Sequence, residues 1–200
     1  MEKVVLLITD LRKSPIRDVV SKRMTEFKAV PKTFNDLFRE LVFCILTAGT
    51  SADLGLRTIS HLGDIIFTGS QEEIQKKLKE VYRFHTLRAG YIFKAKENFR
   101  KLDISSKNIR NDLVDNIKGI GMKEASHFLR NVGFDDFAII DFHIIDLLVK
   151  NNLIEKPKTL TKKKYLEIEN VLRKLANKVN LSLGELDLYL WFAETGKVLK

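Results

Sequence analysis

Disulfide bonding within the chain is excluded, because Cys44 is the one cysteine among 200 residues and a bridge needs two. The same scarcity rules out a cysteine zinc site and a four-cysteine iron–sulfur cluster. Lying in the apolar run Leu41-Val42-Phe43-Cys44-Ile45-Leu46, Cys44 reads as a small buried hydrophobe rather than a reactive thiol. Proline and glycine are also few, 3 and 10 residues, which excludes collagen-like and low-complexity disordered chains. No apolar stretch approaches the ~20 residues that a membrane span requires. The opening Met1-Glu2-Lys3-Val4-Val5-Leu6-Leu7 is charged too early for a signal peptide. The expectation is a cytosolic or nucleoid-associated protein with no membrane partner.

Acidic residues are outnumbered, 26 against 35 Lys and Arg, giving a net charge of +9. An excess of this size favours a polyanionic partner through steering and counterion release, although a lysine-rich chain can also be merely soluble. The length fits one large domain or two lobes, either able to bury a core. Apolar residues recur at three-to-four spacing, as in Phe34, Leu37, Phe38, Leu41 and Val42, and strict alternation is hard to find, so the fold is expected to be all-α. Ser14 before Pro15, Thr33, Ser51, Ser70, Ser105 or Ser106, Asp141, Thr161 and Ser182 are suitable helix starts, which suggests roughly nine to eleven helices. The stretch from Asn151 to Lys164 reads as a polar connection leading into a long helix from about Lys163 to Val179.

The most informative segment runs from Leu113 to Leu129 and reads as helix, Gly119-Ile120-Gly121 turn, helix. Two glycines let the backbone adopt conformations closed to other residues and bare the amides at the second helix's N-terminus, where phosphate binds. Ile120 would plug between the helices, and Ala125 would let them approach. Such a hairpin clamps a DNA backbone without reading sequence; a plain tight αα turn is the alternative. Lys123 falls in the first turn of the second helix, where the dipole disfavours a cation. If also partly desolvated, its amine becomes a nucleophile suited to Schiff-base chemistry at a sugar carbon; a solvated surface lysine is the other possibility. Asp141 lies between the apolar run Ala138-Ile139-Ile140 and the next helix. A carboxylate there can cap the helix and also stabilise an oxocarbenium-like sugar or take a proton from Lys123. His143 fits either a phosphate contact or a structural histidine.

The string Gly119-Ile120-Gly121-Met122-Lys123-Glu124-Ala125 followed by Asp141-Phe142-His143 resembles the catalytic signature of the helix-hairpin-helix, Gly/Pro…Asp (HhH-GPD) superfamily of DNA glycosylases. The lysine points to its bifunctional members. The short chain, the missing cysteine cluster, Lys123 to Asn131 and the terminal lysine are similar to the archaeal-type 8-oxoguanine DNA glycosylases, a type also present in some thermophilic bacteria. The hairpin begins Lys118-Gly119 where many relatives have Pro-Gly.

The resemblance implies one glycosylase unit over residues 1–200, built of two helical lobes flanking a DNA-binding cleft, with the hairpin at about 112–130. Lys123 would attack the anomeric carbon and displace the damaged base, the imine would permit β-elimination of the 3′ phosphate, and Asp141 would assist both steps. Gly119, Gly121 and His143 would meet the DNA backbone. Phe84 and Trp191 are candidates for the walls of a flipped-base pocket, with core packing the rival for each, and Lys200 would help tell 8-oxoguanine from guanine unless it belongs to a frayed tail. Thr47 to Asp53 stands where relatives fill the gap left by the flipped nucleotide, yet Gly49, Thr50 and Ser51 are small and Thr50 fits an N-cap. Arg83, Arg88, Lys94 and Lys96 suit phosphate contacts or a solvated face.

The implied partner is double-stranded DNA bearing oxidised guanine, bound by a monomer. No metal or redox cofactor is expected, with a structural alkali ion at the hairpin carbonyls as the one ion considered. Another oxidised base as substrate, or a non-catalytic hairpin module, are the alternatives. Abundant Lys and Glu with scarce Gln lean toward a heat-adapted prokaryotic source.

Overall fold

The computed structural model describes residues 1–198. Among them twelve α-helices form and no strand, so the all-α expectation holds while the helix number is slightly higher than expected. Part of the excess is the four-residue helix Ile65–Thr68, too short to show a period in sequence.

The chain divides into two compact units. An inserted unit runs from Val30 to Phe128 and carries α3 (Phe34–Thr47), α4 (Ala52–Leu62), α5 (Ile65–Thr68), α6 (Gln71–Lys79), α7 (His85–Arg100) and α8 (Ile109–Asn116). A split unit combines Met1–Ala29 with the residues from Leu129 onward. Its helices are α1 (Glu2–Arg12), α2 (Ile16–Ala29), α10 (Phe142–Lys150), α11 (Lys162–Val179) and α12 (Leu183–Thr195). Helix α9 (Met122–Asn131) begins in the inserted unit and ends in the split one.

Side-chain caps set many of the helix starts. Thr33, Ser51, Ser70, Asp141, Thr161 and Ser182 each accept a hydrogen bond from the amide three residues on, satisfying a donor that the helix cannot. Ser14 Oγ accepts the Ile16 amide at 3.2 Å just before α2. Ser105 and Ser106 do not start α8. Ser106 instead bonds the Asn108 amide and Asp112, building the turn that precedes it. Helix α7 starts after Phe84 with no side-chain cap, hence no signal in the sequence.

In the inserted unit α3 is buried from Leu37 to Leu46 except for Arg39, as a central helix must be. Around it phenylalanines interlock: Phe34 stacks on Phe38 with centroids 5.4 Å apart, Phe67 lies 6.0 Å from Phe38, and Phe99 meets Phe128 edge-on at 5.7 Å. These separations are those of favourable ring pairs. In the split unit α11 buries Tyr165, Ile168, Leu172, Leu175 and Val179, the stripe of an amphipathic helix, while α12 is buried over Leu183–Leu190 except for Glu185.

Candidate functional site

Between α8 and α9 the chain turns within five residues. Gly119 takes φ +92°, a conformation that costs a residue with a Cβ. A Cβ there would also lie 2.4 Å from Cδ2 of Tyr91. Tyr91 is thus the floor on which the turn rests, and the Lys118 amine and Arg88 guanidinium stand 5.8 and 5.7 Å from its ring centroid. Gly119→Ala is expected to destabilise the protein by about 1–3 kcal/mol from backbone strain alone. A urea melt checks this, and an unmoved midpoint would show that the turn relaxes freely. Ile120 and Ala125 are buried, giving the hairpin an apolar seam.

The amides are not all bare. Gly121 N–H donates to Glu124 Oε2 at 3.3 Å, because Glu124 occupies the third position of α9, from which a carboxylate reaches back to the cap amide. Its other oxygen lies 3.7 Å from the Lys123 amine. Lys123 is 25% exposed in its side chain, a partly desolvated amine in the first turn of α9. A phosphate approaching the Gly121 amide would therefore have to compete with an internal carboxylate, a feature that the glycine pattern alone did not reveal.

Asp141 belongs to the split unit, whereas Lys123, Gly119 and Gly121 belong to the inserted one. Its Oδ1 accepts the Ile144 amide at 3.0 Å, so it is the N-cap of α10. The second oxygen takes no hydrogen bond among the described residues. Next to it Phe142 is 67% exposed and its ring lies 3.9 Å from that of His143. His143 in turn meets Trp191 edge-on at 5.0 Å. Trp191 is half-buried, and its indole N–H is buried without an acceptor among the described residues. A carboxylate, an exposed ring, an imidazole and an indole donor thus gather at the start of α10, a surface suited to a sugar with an aromatic base.

Phe84 stands in the inserted unit, half-buried, with Tyr82 at 6.2 Å and the Arg83 guanidinium 4.3 Å above its ring. Arg83 already occupies one face, and Phe84 and Trp191 belong to different units. In the Thr47–Asp53 stretch, Thr50 donates to the Leu46 carbonyl at 2.7 Å and Ser51, not Thr50, caps α4. Gly49 there has φ +77° with open space around it. Of the four basic residues, Arg88 donates to the Ala48 carbonyl and Lys96 to the Phe67 carbonyl; both tie the inserted unit together. Lys94 is exposed. Lys200 lies outside the described residues.

Three contributions escaped the sequence: Glu124 on the hairpin amide, the exposed Phe142, and a clamp from α11 onto the segment before Asp141. In that clamp the Tyr165 hydroxyl donates to the Ala138 carbonyl at 2.7 Å and accepts the Ile140 amide at 3.1 Å, while Glu169 accepts the Ala138 amide at 3.0 Å. Its partners are 25 to 31 residues apart, beyond any local pattern. Only Glu124 had a signal, an acid three residues after a helix start. Among the described residues no group of three or more His, Cys, Asp or Glu side chains is placed to hold a metal ion, and no helix is long and apolar enough to cross a membrane.

Known proteins resemble this arrangement over nearly its whole length. The family model described as "Ogg-HhH: 8-oxoguanine DNA glycosylase" matches residues 20–181. A protein of Methanocaldococcus jannaschii named 8-oxoguanine DNA glycosylase/AP lyase is 51% identical over 201 residues, covering 96% of this chain and 97% of its own. A relative of the same name from Korarchaeum cryptofilum is 48% identical, covering 95% and 94%. The crystal structure of the Methanocaldococcus jannaschii glycosylase/lyase in complex with 15mer DNA containing 8-oxoguanine superposes with a TM-score of 0.94 at 50% identity, over 99% of this chain and 100% of that one. The 8-oxoguanine DNA glycosylase of Thermotoga maritima gives 0.92 at 40% identity, over 100% and 99%.

Proposed function

The chain belongs to the Ogg-HhH family of 8-oxoguanine DNA glycosylases, and from that membership we propose that it excises 8-oxoguanine from DNA and then cuts the strand as an AP lyase. The observation that carries this reading is Lys123: a partly desolvated amine in the first turn of α9, two residues beyond a hairpin turn that ends on Gly121. An amine is what separates a lyase from a glycosylase that activates water, because only an amine can hold the sugar as an imine.

The chemistry assigns each group a step. The Lys123 amine attacks C1′ of the damaged nucleotide; the C1′–N bond breaks and the base leaves with the bonding pair, then takes a proton. Opening of the sugar ring at O4′ gives the imine between Lys123 and C1′. Loss of a C2′ proton then drives out the 3′ phosphate by β-elimination. Asp141 stabilises the positive charge that develops on the sugar and takes a proton. These steps need neither a metal nor a redox cofactor. The hairpin amides and His143 hold backbone phosphates, and Trp191, Phe84 and Lys200 serve the base. The substrate form is the duplex, bound by one copy of the chain. Archaeal and bacterial relatives support a prokaryotic source, and action on DNA would put the protein beside the chromosome.

The test is cleavage and borohydride trapping on a duplex with a single 8-oxoguanine, against the same duplex with guanine. The native chain should cleave and trap only the lesion. Asp141→Asn keeps an N-cap side chain and should slow single-turnover excision by roughly 10²-fold, the scale of one lost electrostatic stabiliser. Binding without adduct or cleavage would instead make the hairpin a clamp and nothing more.

A further inference from the structure

The backbone that delivers Asp141 is irregular from Phe134 to Ile140, yet Ala138, Ile139 and Ile140 are buried. Buried amides and carbonyls outside a helix must find other partners. Here they come from one face of α11, where Tyr165 and Glu169 stand four residues apart, one helical turn. The Tyr165 hydroxyl joins Ala138 to Ile140, donating to the first and accepting from the second. Glu169 holds the Ala138 amide. Residues 138 and 140 thus bond the helix as alternate residues of an extended segment do. Ile139 packs with Ile144, Leu172 and Leu186 around a residual cavity of about 10 Å³, room for no more than about one water. The segment has little slack to slide.

We propose that Tyr165, assisted by Glu169, is a positioning residue for the excision reaction: it fixes the residue bonded to Asp141, and so the point from which that carboxylate projects. This role rests on the function proposed above. Asp141 is held on both sides, by the clamp on Ile140 behind it and by its own cap on Ile144 ahead. Neither Tyr165 nor Glu169 touches the reacting atoms. Their effect passes through Asp141 and is worth nothing when Asp141 no longer works.

The experiment is a double-mutant cycle on the full chain, read by single-turnover excision of 8-oxoguanine, with duplex affinity and melting temperature measured beside it. Tyr165→Phe removes one oxygen and should slow excision about tenfold, the cost of a sub-ångström displacement of a working group, with duplex affinity unchanged. In the Asp141→Asn background the same substitution should have almost no further effect on rate, because the group it positions is already disabled. An equal slowing in both backgrounds, or none in the native one, overturns the proposal. Should Tyr165→Phe not fold, Glu169→Met carries the same cycle. A native chain that does not excise at all fails the functional reading itself, and is distinguished by the absence of any rate to divide.

Discussion

Replacing Lys123 by glutamine is expected to abolish strand cleavage and borohydride trapping on 8-oxoguanine duplex while the protein stays folded and binds DNA. The loss should be at least about 10³-fold in single-turnover rate, equivalent to about 4 kcal/mol of transition-state stabilisation. Glutamine keeps most of the side-chain length and removes the amine, and with it the atom proposed to form the imine. The fold has little at stake. Lys123 is not buried in the core, and its one ion pair among the described residues, with Glu124, is long at 3.7 Å; pairs of this kind are worth at most ~1 kcal/mol. The melting temperature should therefore stay near that of the native chain. A variant that still gives a covalent adduct at the native rate would place the nucleophile elsewhere.

The second large effect concerns stability. Arg130 and Asp187 form a buried ion pair inside the split unit. The Arg130 guanidinium also donates to Asn131 Oδ1 at 3.1 and 2.9 Å and lies 4.9 Å from the Phe27 ring centroid. It is thus the point at which the end of α9, the middle of α12 and α2 meet. Asp187→Ala takes the carboxylate away and leaves the cation desolvated, a change that costs about 3–5 kcal/mol. In a domain of this size that corresponds to a melting temperature lower by about 6–20 °C. The paired replacement Arg130→Met with Asp187→Leu should recover most of the loss, since neither charge of the pair is then left buried alone. Chemical denaturation of the native chain and the two variants measures both effects, and a cost below ~1 kcal/mol for Asp187→Ala would mean that water reaches the guanidinium.

Local chemistry made most of the helices legible. Thr33, Ser51, Ser70, Asp141, Thr161 and Ser182 cap as their positions suggest, because a capping hydroxyl or carboxylate acts within three residues. The long helix α11 begins at Lys162, one residue from the expected Lys163. Where the start lacks such a residue, as before α7, sequence is silent. The site divides in the same way. The hairpin turn, the first-turn position of Lys123 and the cap at Asp141 follow from spacing. Arg83 covering Phe84 and the α11 clamp depend on which rotamers and distant segments meet, whereas Glu124 closing the Gly121 amide had a local signal that the glycine pattern overshadowed. The same holds for the division of the chain, since nothing in residues 1–29 says that they join a unit otherwise made from residue 129 onward.

That interrupted connectivity sets an order of events during synthesis. Everything needed for the inserted unit, Val30 to Phe128, leaves the ribosome in one uninterrupted run and can condense at once. Helices α1 and α2 emerge first of all, yet their partners α11 and α12 emerge last, a delay of seconds at about 5–20 residues per second. In the interval their apolar faces are open to chaperones and proteases. Lys123, the proposed nucleophile, thus lies in the unit that can condense first, and Asp141, its proposed partner, in the unit that must wait for α11 and α12.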